Sequence, residues 1–216
     1  MASYEEHRRP RRIVVGISAA TGAVYGVRVL EKLAEAGVES HLIISTWARR
    51  TIEHETGATV ASVERLASVV HRPGDQASVL SSGSFRTDGM IVAPCSVRSV
   101  ASIAHGVADN LLLRAADVTI KERKPLVLMV RETPLSVIHL ENLTLLARAG
   151  VTIFPPVPAF YGQPGSIRDI VDHTVSRALD QLGVEDDQAH RWDGRLDRPA
   201  RVDEPAASLW PPKTVG

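Results

Sequence analysis

Short β-branched runs alternate along this chain with longer segments of helical period, and that alternation limits the fold more than any other feature. Arg12–Ile17 (RIVVGI) reads as a buried strand. Ala23–Ala36 follows as a helix, with Val24, Val27, Leu30 and Leu33 at helical spacing and Gly37 as its stop. Further strands are expected at Ser40–Ile44, Met90–Ala93, Leu126–Val130 and Val151–Phe154, the second of these ended by Pro94. Further helices are expected at Thr46–Thr56, Val60–Val70, Ser96–His105, Asn110–Lys121, Ser136–Ala149 and Ser166–Leu182. Joined by right-handed crossovers, this series gives an α/β three-layer sandwich, Rossmann-like or flavodoxin-like, with a mostly parallel sheet. Ligands of such sheets bind beyond the carboxyl ends of the strands. The segments that matter are therefore Ser18–Gly22, Ser45–Thr46, Pro94–Ser99, Arg131–Pro134 and Pro155–Tyr161.

A chain of 216 residues supports one domain with a proper core. We expect a polar N-terminal extension over residues 1–11, the ligand-binding domain over 12–185, and a C-terminal arm over 186–216. The arm is polar, proline-containing and without period, as in a segment that lies on a neighbour or is disordered. Lys plus Arg number 25 and Asp plus Glu 25, so a general nucleic-acid binder is not expected and any anion site must be local. The one cysteine, Cys95, rules out an intrachain disulfide and fits a reducing compartment. The charged N-terminus lacks the apolar core of a signal peptide, and no stretch approaches the roughly 18 apolar residues of a spanning helix. A cytoplasmic protein without membrane contact is the expectation.

The turn GISAATG (Gly16–Gly22) places small residues where a helix begins, so backbone N–H groups and the helix dipole there favour an anion. The same turn also serves as a plain connector in any α/β domain. It is not GxGxxG, and no acidic residue about 20 positions on marks a dinucleotide ribose. APCSVRS (Ala93–Ser99) offers Ser96 as N-cap, Ser99 beside it and Arg98 as a cation, while Cys95 reads as a small structural residue. Arg131 and Glu132 follow an apolar strand directly, where a charged pair faces a ligand. Lys121–Lys124 is a charge run that reads by default as a solvated face, Arg177 as a surface arginine, and PPVPAFY (Pro155–Tyr161) as a stiff loop with one hydroxyl beside an apolar wall. The eight histidines are scattered, with no HExxH, paired-cysteine or DDxxD pattern, so no metal is expected.

Taken together, GISAATGAVYG, SSGSF, APCSVRS, RAADVTIKER, VRETPL, HLEN, PPVPAFY and the closing RW resemble, in order and spacing, the UbiX-like flavin prenyltransferases. The likeness runs from about Arg12 to Trp192. It implies an enzyme that joins a dimethylallyl group from dimethylallyl phosphate to N5 and C6 of reduced FMN, making prenylated FMN for a UbiD-type decarboxylase. It implies FMN contacts from Ser18, Ala19, Ala20, Ser45, the Ser96, Val97, Arg98, Ser99 segment and Arg131. The prenyl phosphate falls to Lys121, Arg131, Tyr161 and Arg177, with Arg114 nearby and Trp192 near a neighbouring subunit's site. Thr21, Glu55, Lys121 and Glu132 match the reaction centre, Glu132 as the proton relay. A homododecamer is implied too, and the donor is left open between mono- and diphosphate.

The chain departs from the family pattern where Ala19 replaces a glycine, Thr21 a serine and Arg98 a lysine. Two other readings share this scaffold. One is an FMN-dependent oxidative decarboxylase of a cysteine-type substrate, for which His54 is the only histidine near the second helix. The other is a non-catalytic FMN-binding protein, against which stand the cations and the hydroxyl of the phosphate set.

Overall fold

The computed structural model describes residues 9–186 together with Ala189, Arg191, Trp192 and Gly194. Among these, β1 (Arg12–Ile17), β2 (Glu39–Ile44), β3 (Val69–His71), β4 (Gly89–Cys95), β5 (Leu126–Val130) and β6 (Thr152–Ile153) form one all-parallel sheet, in the order β3-β2-β1-β4-β5-β6. The helices are α1 (Ala23–Glu35), α2 (Thr46–Thr56), α3 (Val60–Glu64), α4 (Val97–Ala104), α5 (Leu111–Lys121), α6 (Val137–Arg148) and α7 (Ile167–Asp180). This is the doubly wound strand order, and it reverses between β1 and β4.

Strand alternation sorts the core into two layers. Ile13, Val15 and Ile17 of β1, with Ile91 and Ala93 of β4, face α1 and α7. Val14 of β1, with Met90 and Val92 of β4, faces α4, α5 and α6. Both faces are covered, which is why these strands read as unbroken apolar runs.

Two expected elements differ. Val60–Val70 is not one helix: α3 ends at Glu64, and Val69–His71 pairs with His41–Ile43 as the edge strand β3. Val69 and Val70 are β-branched and find an open sheet edge beside β2, so extended backbone prevails over helix. Nor does Pro94 end the third strand. β4 continues to Cys95, but Val92 pairs with Leu128 and Cys95 with Val130, so three steps on β4 match two on β5. That extra residue is a bulge, placed at Pro94, which has no N–H to give the ladder. It flips the parity of the strand, and Cys95 enters the same layer as Val92.

The face of α1 also differs from the expected one. Val24 is exposed and Val27 half-buried, while Ala23, Gly26, Val29, Leu30 and Leu33 face inward. Small residues at the contact let α1 lie close to the end of β4. The expected helices elsewhere begin at side-chain caps, with Ser45, Ser96, Asn110, Ser136 and Ser166 accepting from the first turns.

The extension 1–11 and the arm 186–216 fall mostly outside the described residues. Where the arm is described it is tied to the domain. Lys32 Nζ and Ser176 Oγ both donate to the Asp186 carboxylate, and at the end of the extension Arg11 donates to the Gly183 carbonyl of the domain at 2.6 Å. Among the described residues no helix is long and apolar enough to cross a membrane.

Candidate active site

The crevice where the strand order reverses opens into a cavity of about 810 Å³, within the range of cofactor sites. Its floor is the turn after β1, from Ser18 to Thr21. Its walls are Ser45–Trp47 at the head of α2, Ser96–Ser99 and Ser102 of α4, and Asn110, Leu112 and Leu113 of α5. Arg131 and Glu132, leaving β5, complete the rim. Three helix N-termini therefore border one space, each presenting the positive end of its dipole.

Ser18 holds the two sides of the crevice together. It is 2% exposed, its hydroxyl donates to the Pro94 carbonyl at 3.0 Å, and it accepts from the Ser96 backbone N–H at 2.8 Å. The expected cofactor contact is thus a stitch between the ends of β1 and β4. Ser96 in turn accepts from the Ser99 N–H at 3.2 Å, with the two hydroxyls 3.1 Å apart. Ala19 and Ala20 lie on the cavity surface with no side-chain polar group, open to a ring.

The expected anion site at the head of α1 already holds an anion. Gly22 and Ala23 donate their backbone N–H groups to Glu55 Oε2 at 2.8 and 2.9 Å. Glu55 is exposed, and its partial desolvation works against ionisation, but the Thr21 hydroxyl and these two N–H groups outweigh that and hold the carboxyl below its ordinary value. Glu55 and Thr21 share a shallow groove with Trp47, Arg50 and His54 that adjoins the main cavity through Ala19 and Ala20. An outer anion is left with the heads of α2, α4 and α5.

Arg131 is exposed and forms no ion pair among the described residues. Most other arginines of the expected site are engaged. Arg114 donates to the Ser81 carbonyl at 3.2 Å and to Asp117 at 2.5 Å, and Arg177 donates to Asp180 at 2.6 Å. Arg98 lies 3.8 Å from Asp109. Glu132 Oε1 accepts from the Thr133 N–H at 3.1 Å, which turns the carboxyl toward the rim.

Within one chain, Arg114, Lys121, Tyr161, Arg177 and Trp192 do not line this cavity. Lys121 pairs with Glu122 at 2.5 Å, against Gly83 of the SSGSF segment. Tyr161 hydrogen-bonds His173 at 3.1 Å and meets the edge of Trp192 at 5.6 Å. Burial lifts the Cys95 thiol to about 12, so it has no nucleophilic character at neutral pH.

The cavity residues that sequence reading missed are Trp47, Pro73, Ser102, Asn110, Leu112 and Leu113. Trp47, 63% exposed, is an aromatic wall adjoining the Ser45–Thr46 strand end, with the Arg50 guanidinium 5.7 Å from its ring. Asn110 is the N-cap of α5 and was legible as such, but not as a cavity residue.

The polar heads of three helices, one unpaired arginine and flat apolar surface at Ala19, Ala20 and Trp47 fit a planar ring carrying a phosphate. The comparisons agree with that geometry. The Flavoprotein family model matches residues 1–179. A probable UbiX-like flavin prenyltransferase of Bacillus subtilis is 58% identical over 183 residues, 85% of this chain and 90% of that protein. The crystal structure of AnUbiX (PadA1) in complex with FMN and dimethylallyl pyrophosphate matches with a TM-score of 0.86 and 51% identity, over 87% of this chain and all of that one. A dodecameric FMN-dependent UbiX-like decarboxylase from Escherichia coli O157:H7 matches with a TM-score of 0.83 and 53% identity, over 85% of this chain and 100% of that one.

Proposed function

This chain belongs to the Flavoprotein family and, within it, to the UbiX-like flavin prenyltransferases, and from that premise we propose how its own residues carry the reaction. The enzyme is a transferase that moves a dimethylallyl group from its phosphate ester onto FMN, and the product serves a UbiD-type decarboxylase. Reduced FMN supplies the nucleophilic N5, which takes the prenyl C1 from its phosphate, and the C6 that forms the second bond. The chain's part is to bind, orient and move charge and protons around those atoms.

Ser45, Ser96 and Ser99, at the heads of α2 and α4, hold the FMN polar groups beside Arg98, with Ala19 and Ala20 against the ring. Arg131 bridges the FMN and prenyl phosphate sites. The departing phosphate carries away the electron pair of the broken C–O bond, and fixed cations stabilise it without a metal. Lys121, Tyr161 and Arg177, with Arg114 nearby, supply the remaining phosphate ligands. Glu132, at the rim beside Arg131, relays the proton of ring closure: C2 of the prenyl double bond gains a proton as C3 bonds to flavin C6, and the proton that C6 then loses returns to the carboxylate. Thr21 and Glu55 form a hydrogen-bonded pair at the same turn.

The phosphate ligands are dispersed over one chain, and the assembly resolves this. In a homododecamer with sites at subunit interfaces, a neighbour's Lys121, Tyr161, Arg177 and Trp192 reach the cavity of another copy. The domain over residues 12–185 is then the catalytic unit, and the arm a contact between copies. We place the reaction in the cytoplasm, where Cys95 stays a thiol and FMN is available reduced.

The observation that carries this reading is the unpaired Arg131 beside Glu132 at the rim of the switch-point cavity. Anaerobic incubation with reduced FMN and dimethylallyl monophosphate, followed by mass analysis of the released flavin, tests it. A gain of one dimethylallyl unit, abolished in Glu132→Gln and in Lys121→Ala, is expected. FMN binding with no gain from either the mono- or the diphosphate would overturn the reading.

A further inference from the structure

Asp180, at the end of α7, holds two guanidinium groups at once. Its Oδ2 accepts from Arg177 at 2.6 Å. Arg191 grips it with both nitrogens, at 2.9 Å to Oδ2 and 3.0 Å to Oδ1. The carboxylate side chain is 14% exposed, whereas Arg177 and Arg191 are about half exposed, at 46% and 51%. Burial disfavours ionisation of Asp180, yet the two arginines hold its carboxyl below the ordinary value.

The next residue, Trp192, sits edge-on to Tyr161, whose hydroxyl bonds His173. His173 and Arg177 are one turn apart on the same face of α7, and Asp180 follows three residues later. Two adjacent residues of the arm therefore engage both ends of one stripe of α7. That stripe carries Arg177 and, through His173, orients Tyr161.

The charge count gives this arrangement a direction. At Asp180 two guanidinium groups share one carboxylate, while Glu185 and Asp186 also act on Arg191, so it is Arg191 that the surrounding anions hold in place. Arg191 takes both carboxylate oxygens in the bidentate geometry that favours arginine–carboxylate pairing. Arg177 keeps one shared oxygen and is the partner free to exchange it for an incoming phosphate. Without Arg191, Asp180 would be neutralised by Arg177 alone, and the group offered to phosphate would be a closed ion pair.

We propose that Arg191 is a positioning residue for the prenyl phosphate: by occupying Asp180 it keeps Arg177 available, while Trp192 fixes Tyr161. This rests on the assignment of Arg177 and Tyr161 to the phosphate site. The arm thereby tunes donor affinity without touching the flavin.

A double-mutant cycle tests it, on the full-length protein with its FMN affinity measured in parallel. Arg191→Ala should raise KM for dimethylallyl monophosphate, and the inhibition constant for inorganic phosphate, by on the order of tenfold, the worth of one charge-assisted contact. Arg191→Lys should recover part of that loss. Adding Asp180→Asn to Arg191→Ala should restore KM toward wild type, because the carboxylate that captured Arg177 is gone. A purely structural role predicts the opposite, a double variant worse than either single one. An unchanged KM in Arg191→Ala, no recovery in the double variant, or a parallel loss of FMN affinity would each overturn the proposal. A wild type that binds FMN but transfers no prenyl group would instead sink the underlying reading.

Discussion

Glu55 Oε2, on α2, lies 2.8 Å from the backbone nitrogen of Gly22 at the head of α1. The second contact, from the Ala23 N–H at 2.9 Å, makes this carboxylate the cap that α1 lacks in its own sequence, since Gly22 has no side chain to offer. A cap borrowed from another helix also fixes the turn that floors the cavity. Glu55→Ala should lower stability by about 1 kcal/mol, the usual worth of a cap and no more, because the group is exposed. The folded carboxyl sits below its ordinary 4.5, so this contribution is present above that value and is lost as pH falls through the folded one. Urea denaturation of both proteins should show a gap at neutral pH that closes in acid. A gap that persists in acid would mean the loss is one of packing.

Ser18 is the stitch between β1 and β4, and its removal should be felt in both stability and binding. Ser18→Ala leaves the Ser96 N–H without the acceptor it now has at 2.8 Å, while the Pro94 carbonyl loses the hydroxyl at 3.0 Å but keeps the residue-18 backbone N–H at 3.2 Å. Leaving that half-buried N–H unpaired costs about 1–3 kcal/mol. Because Ser96 heads α4 at the cavity wall, FMN affinity should fall with it. Fluorescence titration of FMN alongside urea unfolding checks both, and an affinity unchanged in the face of lost stability would separate the stitch from the site.

Gly26 is the fourth residue of α1, at the end of its first turn, where alanine would normally stabilise a helix by up to about 1 kcal/mol. Here a Cβ would lie 2.3 Å from the Ala93 carbonyl oxygen and 2.9 Å from Ile17 Cδ1. The carbonyl belongs to backbone just before the bulge and cannot swing aside. Gly26→Ala should therefore destabilise, by about 1–3 kcal/mol as overpacking does, reversing the sign that propensity alone predicts. A higher thermal midpoint in the variant would show that α1 can retreat from the sheet.

These contacts mark where sequence reading succeeds and where it stops. The central strands and their order of appearance were legible because burial on both faces writes continuous apolar runs. The strand-end segments of the site followed from the rule that ligands sit at carboxyl ends. β3 was not legible, since three residues at a sheet edge carry no pattern of their own and Val69-Val70 continue a helical spacing. The inward face of α1 was read only in part: Leu30 and Leu33 are buried as their spacing implied, but Val24 is exposed, and Gly26, which apolar side chains outrank in any pattern, lies against the sheet. Glu55 as a borrowed cap, and Leu112 and Leu113 as cavity walls, depend on how α2 and α5 lean over the crevice, which no local period encodes. The dispersal of Lys121, Tyr161 and Arg177 over one chain is invisible in a motif list, where all members look like one site.

Away from the site, a chain of polar contacts spans the edge of the sheet below β3. Arg12 and His41 both donate to Glu39 Oε1 at 2.9 Å, His41 Nδ1 lies 2.9 Å from His71 Nε2, and His71 Nδ1 lies 2.9 Å from the Ser78 hydroxyl. Burial and the neighbouring His41 hold the His71 pKa below its ordinary 6.5, against a smaller opposing pull from Asp75. Between 6.5 and that lower value the unfolded chain binds a proton at this position and the folded chain does not. Stability is therefore full above 6.5 and declines as pH falls toward the folded value. In His71→Gln the position no longer titrates. Urea midpoints measured from about pH 8 down to about pH 5 should fall less steeply for the variant than for wild type, the two curves converging at the acid end. Parallel curves would assign the acid sensitivity to other histidines and leave His71 as a purely structural link between β2 and the loop that carries Ser78.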